Sequence, residues 1–175
     1  MSKPLSCLLP ISQKSILLLI LISSFWTIWS TAQNNEPLIG HWELQKISFK
    51  KTAVNSSEKN KEQLLDIYKS ALYDQLTNEQ QSTFEDLEWT NSEAEKLIDI
   101  FYLTTIEFKS NGALYNTSLN LKKSLSGEYL FDKKKLYVEW ETAEKINFKV
   151  LKNSATELIL KDIKLKITYY FIKSN

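Results

Sequence analysis

The stretch "TTIEFKSNGALYN", Thr104 to Asn116, reads as two short strands around a tight turn. Ile106 and Phe108 alternate with Glu107 and Lys109, which is the two-residue period of a half-buried strand. Asn111-Gly112 then supplies the positive-φ residues that reverse a hairpin. The same pattern recurs downstream. "SGEYLFDKKKLYVEW" (126–140) places Tyr129 and Phe131 on one arm and Leu136, Val138 and Trp140 on the other. "KINFKVLKNSATELILKD" (145–162) is a third hairpin, turning near Asn153 and Ser154. "IKLKITYYF" (163–171) alternates throughout and predicts a last strand. Upstream, "LIGHWELQKISFKK" (38–51) opens as a strand in which Trp42 and Leu44 share one face. The apolar phase then slips to Ile47 and Phe49, so a bulge is expected near Gln45 and Lys46. These segments make eight strands, each with one apolar and one polar face. The fold class they predict is mainly β: an eight-stranded antiparallel up-and-down barrel, with a helical insertion between strands 1 and 2.

The insertion spans residues 52–101. Leu64, Leu65, Tyr68, Leu72 and Leu76 recur at helical spacing, and Leu97, Ile98 and Phe101 form a second stripe. Such stripes are packing surfaces before they are cofactor sites, since a helix must bury an apolar face. Thr77–Gln80 and Thr90–Glu93 both fit the capping box, a hydroxyl followed three residues later by Gln or Glu, and each predicts a helix start.

Residues 1–32 read as a signal peptide and 33–175 as the barrel domain. Lys3 and Lys14 precede the apolar run 15–29, and Ser30 and Ala32 stand at −3 and −1 of a cut before Gln33. The run is short for a membrane span. The protein is therefore expected to be secreted or periplasmic, with membrane attachment only if the N-terminal segment stays uncleaved. Cys7 precedes the run, so residues 33–175 hold no cysteine and no disulfide or thiolate chemistry.

All 22 basic residues are lysine, set against 21 acids. Without arginine there is no bidentate fork for phosphate or guanine, and the near-zero net charge argues against nucleic acid as a partner. The charge is unevenly placed. Segment 52–101 holds 11 acids and 4 lysines, a net −7, while the rest of 33–175 holds 16 lysines and 10 acids, a net +6. That asymmetry favours docking of insert on barrel, or offers oppositely charged faces to partners.

The ordered set "LIGHWEL", "TIEFKSNGALYN", "GEYLFDKKKLYVEW" and "INFKVLKNSATELILKD" resembles the lipocalin-like domains of small exported bacterial proteins. The resemblance covers Leu38–Lys51 and residues 103 to about 173. It implies that Gly40 and Trp42 form the structural motif at the narrow end of the barrel. A basic side chain lies over the tryptophan, and with no arginine present Lys173 is the candidate. It also implies a cavity for a small, mostly apolar molecule, although an eight-stranded barrel can equally be filled by its own side chains. On strand alternation, the residues expected to line such a cavity are Phe108, Tyr115, Tyr129, Trp140 and Phe148.

Catalytic groups are sparse. His41 is the sole histidine, inside the Gly-x-Trp motif and without a recognisable nucleophile nearby. No phosphate loop, EF-hand or metal spacing is present, so no cofactor and no metal are expected. Asn55 and Asn116 fit the glycosylation acceptor pattern. The function expected is non-enzymatic binding of a small hydrophobic molecule. The alternative is a cell-envelope module that meets a protein partner through its acidic helices. Segment 52–101 is expected to act as a lid, separable from the barrel beneath it.

Overall fold

The computed structural model describes residues 37–119 and 124–174, apart from the Phe84 side chain. The signal-peptide reading of 1–32 lies outside the described residues. Strand β1 runs Gly40–Phe49 and β2 Thr52–Asn55; two helices follow, α1 at Lys61–Tyr73 and α2 at Phe84–Phe101. Seven more strands complete the order: β3 Thr105–Phe108, β4 Ala113–Thr117, β5 Leu125–Asp132, β6 Lys135–Trp140, β7 Lys145–Asn153, β8 Glu157–Asp162 and β9 Thr168–Lys173.

Each strand from β3 to β9 pairs antiparallel with the next, and β9 returns to pair with β1, which closes an eight-stranded up-and-down barrel. Closure depends on how β1 satisfies its other edge. Gly40–Glu43 pair with β3, and Lys46–Phe49 pair with β2. The gap between them is bridged by Leu44 N–H to Thr104 O at 2.9 Å and Ser56 N–H to Gln45 O at 2.8 Å. The expected bulge is there: Leu44 opposes Phe171 and Lys46 opposes Tyr170, leaving Gln45 unpaired against β9. Without it, Ile47 and Phe49 would face solvent; with it they are buried alongside Trp42 and Leu44.

The structure corrects the sequence reading at four places. Thr52–Asn55 is a strand and not part of the helical segment, because it hairpins onto the free half of β1. The insert thus begins after β2. Thr90–Glu93 does not start a helix. It lies inside α2, where the Thr90 hydroxyl bonds to Asp86 O one turn back at 2.8 Å. The true cap is Thr83, whose hydroxyl accepts from Asp86 N at 3.3 Å. The last strand begins at Thr168, and Ile163–Ile167 form the β8–β9 connection. Tyr115 points outward, 41% exposed, because Leu114 and Asn116 take the inward phase of β4. By contrast, Thr77 and Gln80 do exchange both capping bonds, at 3.0 and 3.3 Å.

The β3–β4 turn is held by Gly112 N–H to Lys109 O at 3.2 Å, with Gly112 at φ +86°. The β5–β6 turn is stranger. Lys133 and Lys134 sit at φ 44° and 73° between the paired residues Asp132 and Lys135. A two-residue turn with both φ positive suits Asn-Gly, and a side chain in this region costs roughly 1–2 kcal/mol per residue. Replacing Lys133-Lys134 with Asn-Gly should therefore raise stability by ~1 kcal/mol or more. The denaturant midpoint checks this, and an unchanged or lower value would show that the turn is not strained.

Candidate functional site

The strand directions give the barrel two different ends. At one end stand the start of β1, the end of β9 and the β3–β4, β5–β6 and β7–β8 turns. Trp42 is fully buried there and donates from Nε1 to Leu38 O at 2.7 Å. Lys173, its cross-strand partner, lays Nζ 5.2 Å from the indole centre and donates to Ile39 O at 2.8 Å. Gly40 has to be glycine: φ is +122°, and a Cβ would come within 2.8 Å of Lys173 Cε. Lysine thus takes the covering role that the resemblance assigns to a basic residue. His41 is on the outer surface, paired to Glu107 at 3.0 Å, away from any buried polar group. This is the closed end.

The other end is covered by the insert. Tyr68 of α1 and Phe101 at the end of α2 are buried in one hydrophobic core with the barrel side chains. Phe101 meets Tyr169 at 4.7 Å between ring centres, and Tyr169 meets Phe148 at 5.9 Å and Phe171 at 6.5 Å. Aromatic contacts at these separations are favourable beyond the area they bury. They fill the interior at that level. Trp140 fits because its neighbour is glycine: a Cβ on Gly127 would meet Glu139 O at 2.5 Å and the indole at 3.1 Å. The last carbonyls of α2 are held by the barrel, with Asn116 Nδ2 donating to Ile100 O at 2.8 Å and the Ser118 hydroxyl to Tyr102 O at 2.6 Å. Asn116 is fully buried, so its glycosylation pattern is inaccessible in the folded protein.

A polar group interrupts this apolar layer. Asp162, 4% exposed, occupies the inward phase of β8 after Leu158 and Leu160. Its Oδ1 accepts from Lys164 N at 2.7 Å and Leu165 N at 2.8 Å, which shapes the β8–β9 connection. Burial pushes its carboxyl pKa up, against those two backbone N–H groups and the more distant Lys164 and Lys166. The Tyr68 and Tyr169 hydroxyls are fully enclosed, and burial raises both above the ordinary phenol value. They lie near enough to influence one another and to feel Asp162, yet neither makes a hydrogen bond of good geometry. Trp140 Nε1 is likewise buried without a partner. Unpaired buried polar atoms cost about 1–3 kcal/mol each, so a cluster of them asks for an occupant.

Three clefts open around the helices. One of ≈ 590 Å³ lies between α1, α2 and the β1–β2 hairpin, at the Lys50–Asp74 ion pair, and a smaller one of ≈ 280 Å³ adjoins it. The third, ≈ 350 Å³, runs between α2 and the loops that carry residues 144–147 and 162–165. Leu72, Leu97, Ile100, Ile146 and Leu165 line it, Trp89 and Ile163 stand exposed on it, and Asp162 is among its walls.

Of the residues expected to line a cavity, Phe108, Tyr129, Trp140 and Phe148 are buried, but none of them lines these three clefts. Phe108 and Tyr129 stack edge to face at 5.0 Å, and the Tyr129 hydroxyl bonds to Lys109 O at 2.7 Å. Asp162 was legible only as an acid in the apolar phase of "ELILKD". Tyr68 and Tyr169 gave no signal beyond their place in apolar stripes. Among the described residues no group of three or more His, Cys, Asp or Glu side chains converges as a metal site would require.

No family model and no curated protein matches the chain. Among solved structures it is similar to a lipocalin-like protein from Bacteroides uniformis ATCC 8492, at 15% identity and a TM-score of 0.45, over 79% of this chain and 99% of that one. An uncharacterized protein from Bacteroides eggerthii DSM 20697 is similar at 10% identity and 0.44, over 78% and 98%. A DUF4847 family protein from Bacteroides vulgatus ATCC 8482 is similar at 13% and 0.40, over 78% and 94%. The lipocalin-like fold assignment itself stands on strand order and closure.

Proposed function

We propose that this is an exported, non-enzymatic binding protein that takes a small, predominantly apolar molecule at the open end of its barrel. The observation that supports this reading is the ≈ 350 Å³ cleft between α2 and the barrel loops, apolar in its walls with one buried polar group among them. That size and lining are those of small-molecule sites. The contacts among Phe101, Tyr169, Phe148 and Phe171 favour this mouth over the deep interior as the place of binding.

Native mass spectrometry of protein purified from its own host should show a stoichiometric added mass of a few hundred daltons or less, the size such a cleft holds. Filling the cleft with Leu97→Trp should remove it. Bare mass in the unaltered protein, or an adduct indifferent to Leu97→Trp, would count against the reading. A second reading has an observation of its own: α2 exposes Glu85, Glu88, Glu95 and Asp99 together with Leu87 and Trp89. That face suits a basic protein partner in the cell envelope.

A further inference from the structure

We propose, building on the binding reading above, that the molecule the cleft takes carries a primary ammonium group, which docks on the Asp162 carboxylate. The turn explains only half of this side chain. Oδ1 takes both backbone N–H groups of the β8–β9 connection, and an asparagine would serve that purpose equally. What the turn leaves unexplained is the negative charge. Oδ2 accepts no hydrogen bond, and no lysine forms an ion pair with the carboxylate: Lys166 Nζ is committed to Ile163 O, and Lys164 reaches Asp162 only through its backbone N–H. A buried carboxylate without a paired cation is costly, and here it stands in the wall of a cleft that a ligand can enter.

The chemistry of the surroundings selects the cation. An ammonium brings three donors and no acceptor. Asp162 Oδ2 offers one acceptor, and the Tyr68 and Tyr169 hydroxyl oxygens, both unpaired and within its electrostatic reach, offer two more. An anionic head group finds no such site. Lys96 and Lys145 at the mouth are already engaged by Glu93 at 2.6 Å and Glu139 at 3.0 Å. The rest of the molecule would lie on Leu72, Leu97, Ile100 and Leu165, with Trp89 at the rim.

Three eight-carbon probes test this: n-octylammonium, n-octanol and n-octanoate, each titrated into the protein by calorimetry at near-neutral pH. Octylammonium should bind at least about tenfold more tightly than the other two, the usual gain from one charge-assisted contact. Asp162→Asn keeps Oδ1 for the turn and should erase that preference without loss of fold. Leu97→Trp should weaken all three. Equal affinities in the unaltered protein, or a preference for octanoate, would overturn the ammonium assignment and leave the binding reading standing. A preference that survives Asp162→Asn would overturn it too. No saturable binding by any probe would overturn both. Should Asp162→Asn fail to fold, the order of the three probes on the unaltered protein still decides.

Discussion

Trp42→Ala should lower the unfolding free energy by ~3–5 kcal/mol, in the range of large aromatic truncations in cores. The side chain is fully buried, and three further interactions depend on it. Its Nε1–H satisfies Leu38 O, the carbonyl of a residue itself wholly enclosed. Its ring carries the Lys173 ammonium, a contact worth ~0.5–2 kcal/mol depending on solvation. Its cross-strand pairing with Lys173 lies on the β1–β9 seam, where the barrel closes. Lys173→Met keeps the apolar stem and removes the charge, so it should cost markedly less than Trp42→Ala. Gly40→Ala should cost more than an ordinary glycine replacement, because both its φ and the Lys173 stem oppose a Cβ. Equilibrium urea unfolding measures all three. A Trp42→Ala midpoint equal to that of the unaltered protein would show that the Gly-x-Trp motif is not the keystone of the closed end.

The barrel was legible because its strands obey a local rule. One face of every strand is buried, so period-two alternation survives in the sequence, and Tyr129, Phe131, Leu136, Val138 and Trp140 fell on the correct side. The slip between Leu44 and Ile47 announced the bulge for the same reason. The errors occur where local pattern and tertiary demand diverge. Ile163, Leu165 and Ile167 alternate like a strand, yet the chain there turns on Asp162 Oδ1, and only Leu165 and Ile167 are buried. Thr52–Asn55 becomes a strand because half of β1 would otherwise show an unpaired edge, a need that exists only once the barrel is closed. Tyr115 was assigned inward as an aromatic near Phe108, whereas its phase in β4 is opposite to that of Leu114.

The open end was harder to read for a different reason. Its polar cluster joins α1, β6, β8 and β9, and no short-range pattern relates Tyr68 to Asp162 or Trp140. Only Asp162 left a trace, as a charge at an apolar position. The charge asymmetry between insert and barrel is real in composition, but the contacts that join them are chiefly apolar. Lys50–Asp74 is an ion pair between them, and it lies near the surface, where such pairs contribute little. Screening beyond ~8 Å at physiological salt limits the long-range part further.

That balance decides what happens when the insert is removed. Replacing residues 57–101 with a short Gly-Ser linker should abolish cooperative folding, contrary to the expectation of a separable lid. Phe101→Ala alone should cost ~3–5 kcal/mol, a large share of the 5–15 kcal/mol typical of a domain. The linker would remove Phe101 together with Leu64, Ile67, Tyr68, Leu72 and Ile98, all buried in the same core as the barrel. It would also strip partners from the residues left behind. Asn116, fully buried, would lose its hydrogen bond to Ile100 O, and Tyr169 its stacking partner. Leu44 N and Gln45 O are satisfied from the chain just outside the insert, by Thr104 and Ser56, and would lose those bonds once the two junctions were free to move. The expected result is a poorly dispersed amide NMR spectrum and no sigmoidal urea transition. A soluble variant that unfolds cooperatively, with β-rich circular dichroism, would show that the barrel is autonomous and the helices are a cover. In that case the apolar stripes of α1 and α2 would have evolved for a movable contact, and gating of the cleft by the whole insert would become the better account of how a ligand enters.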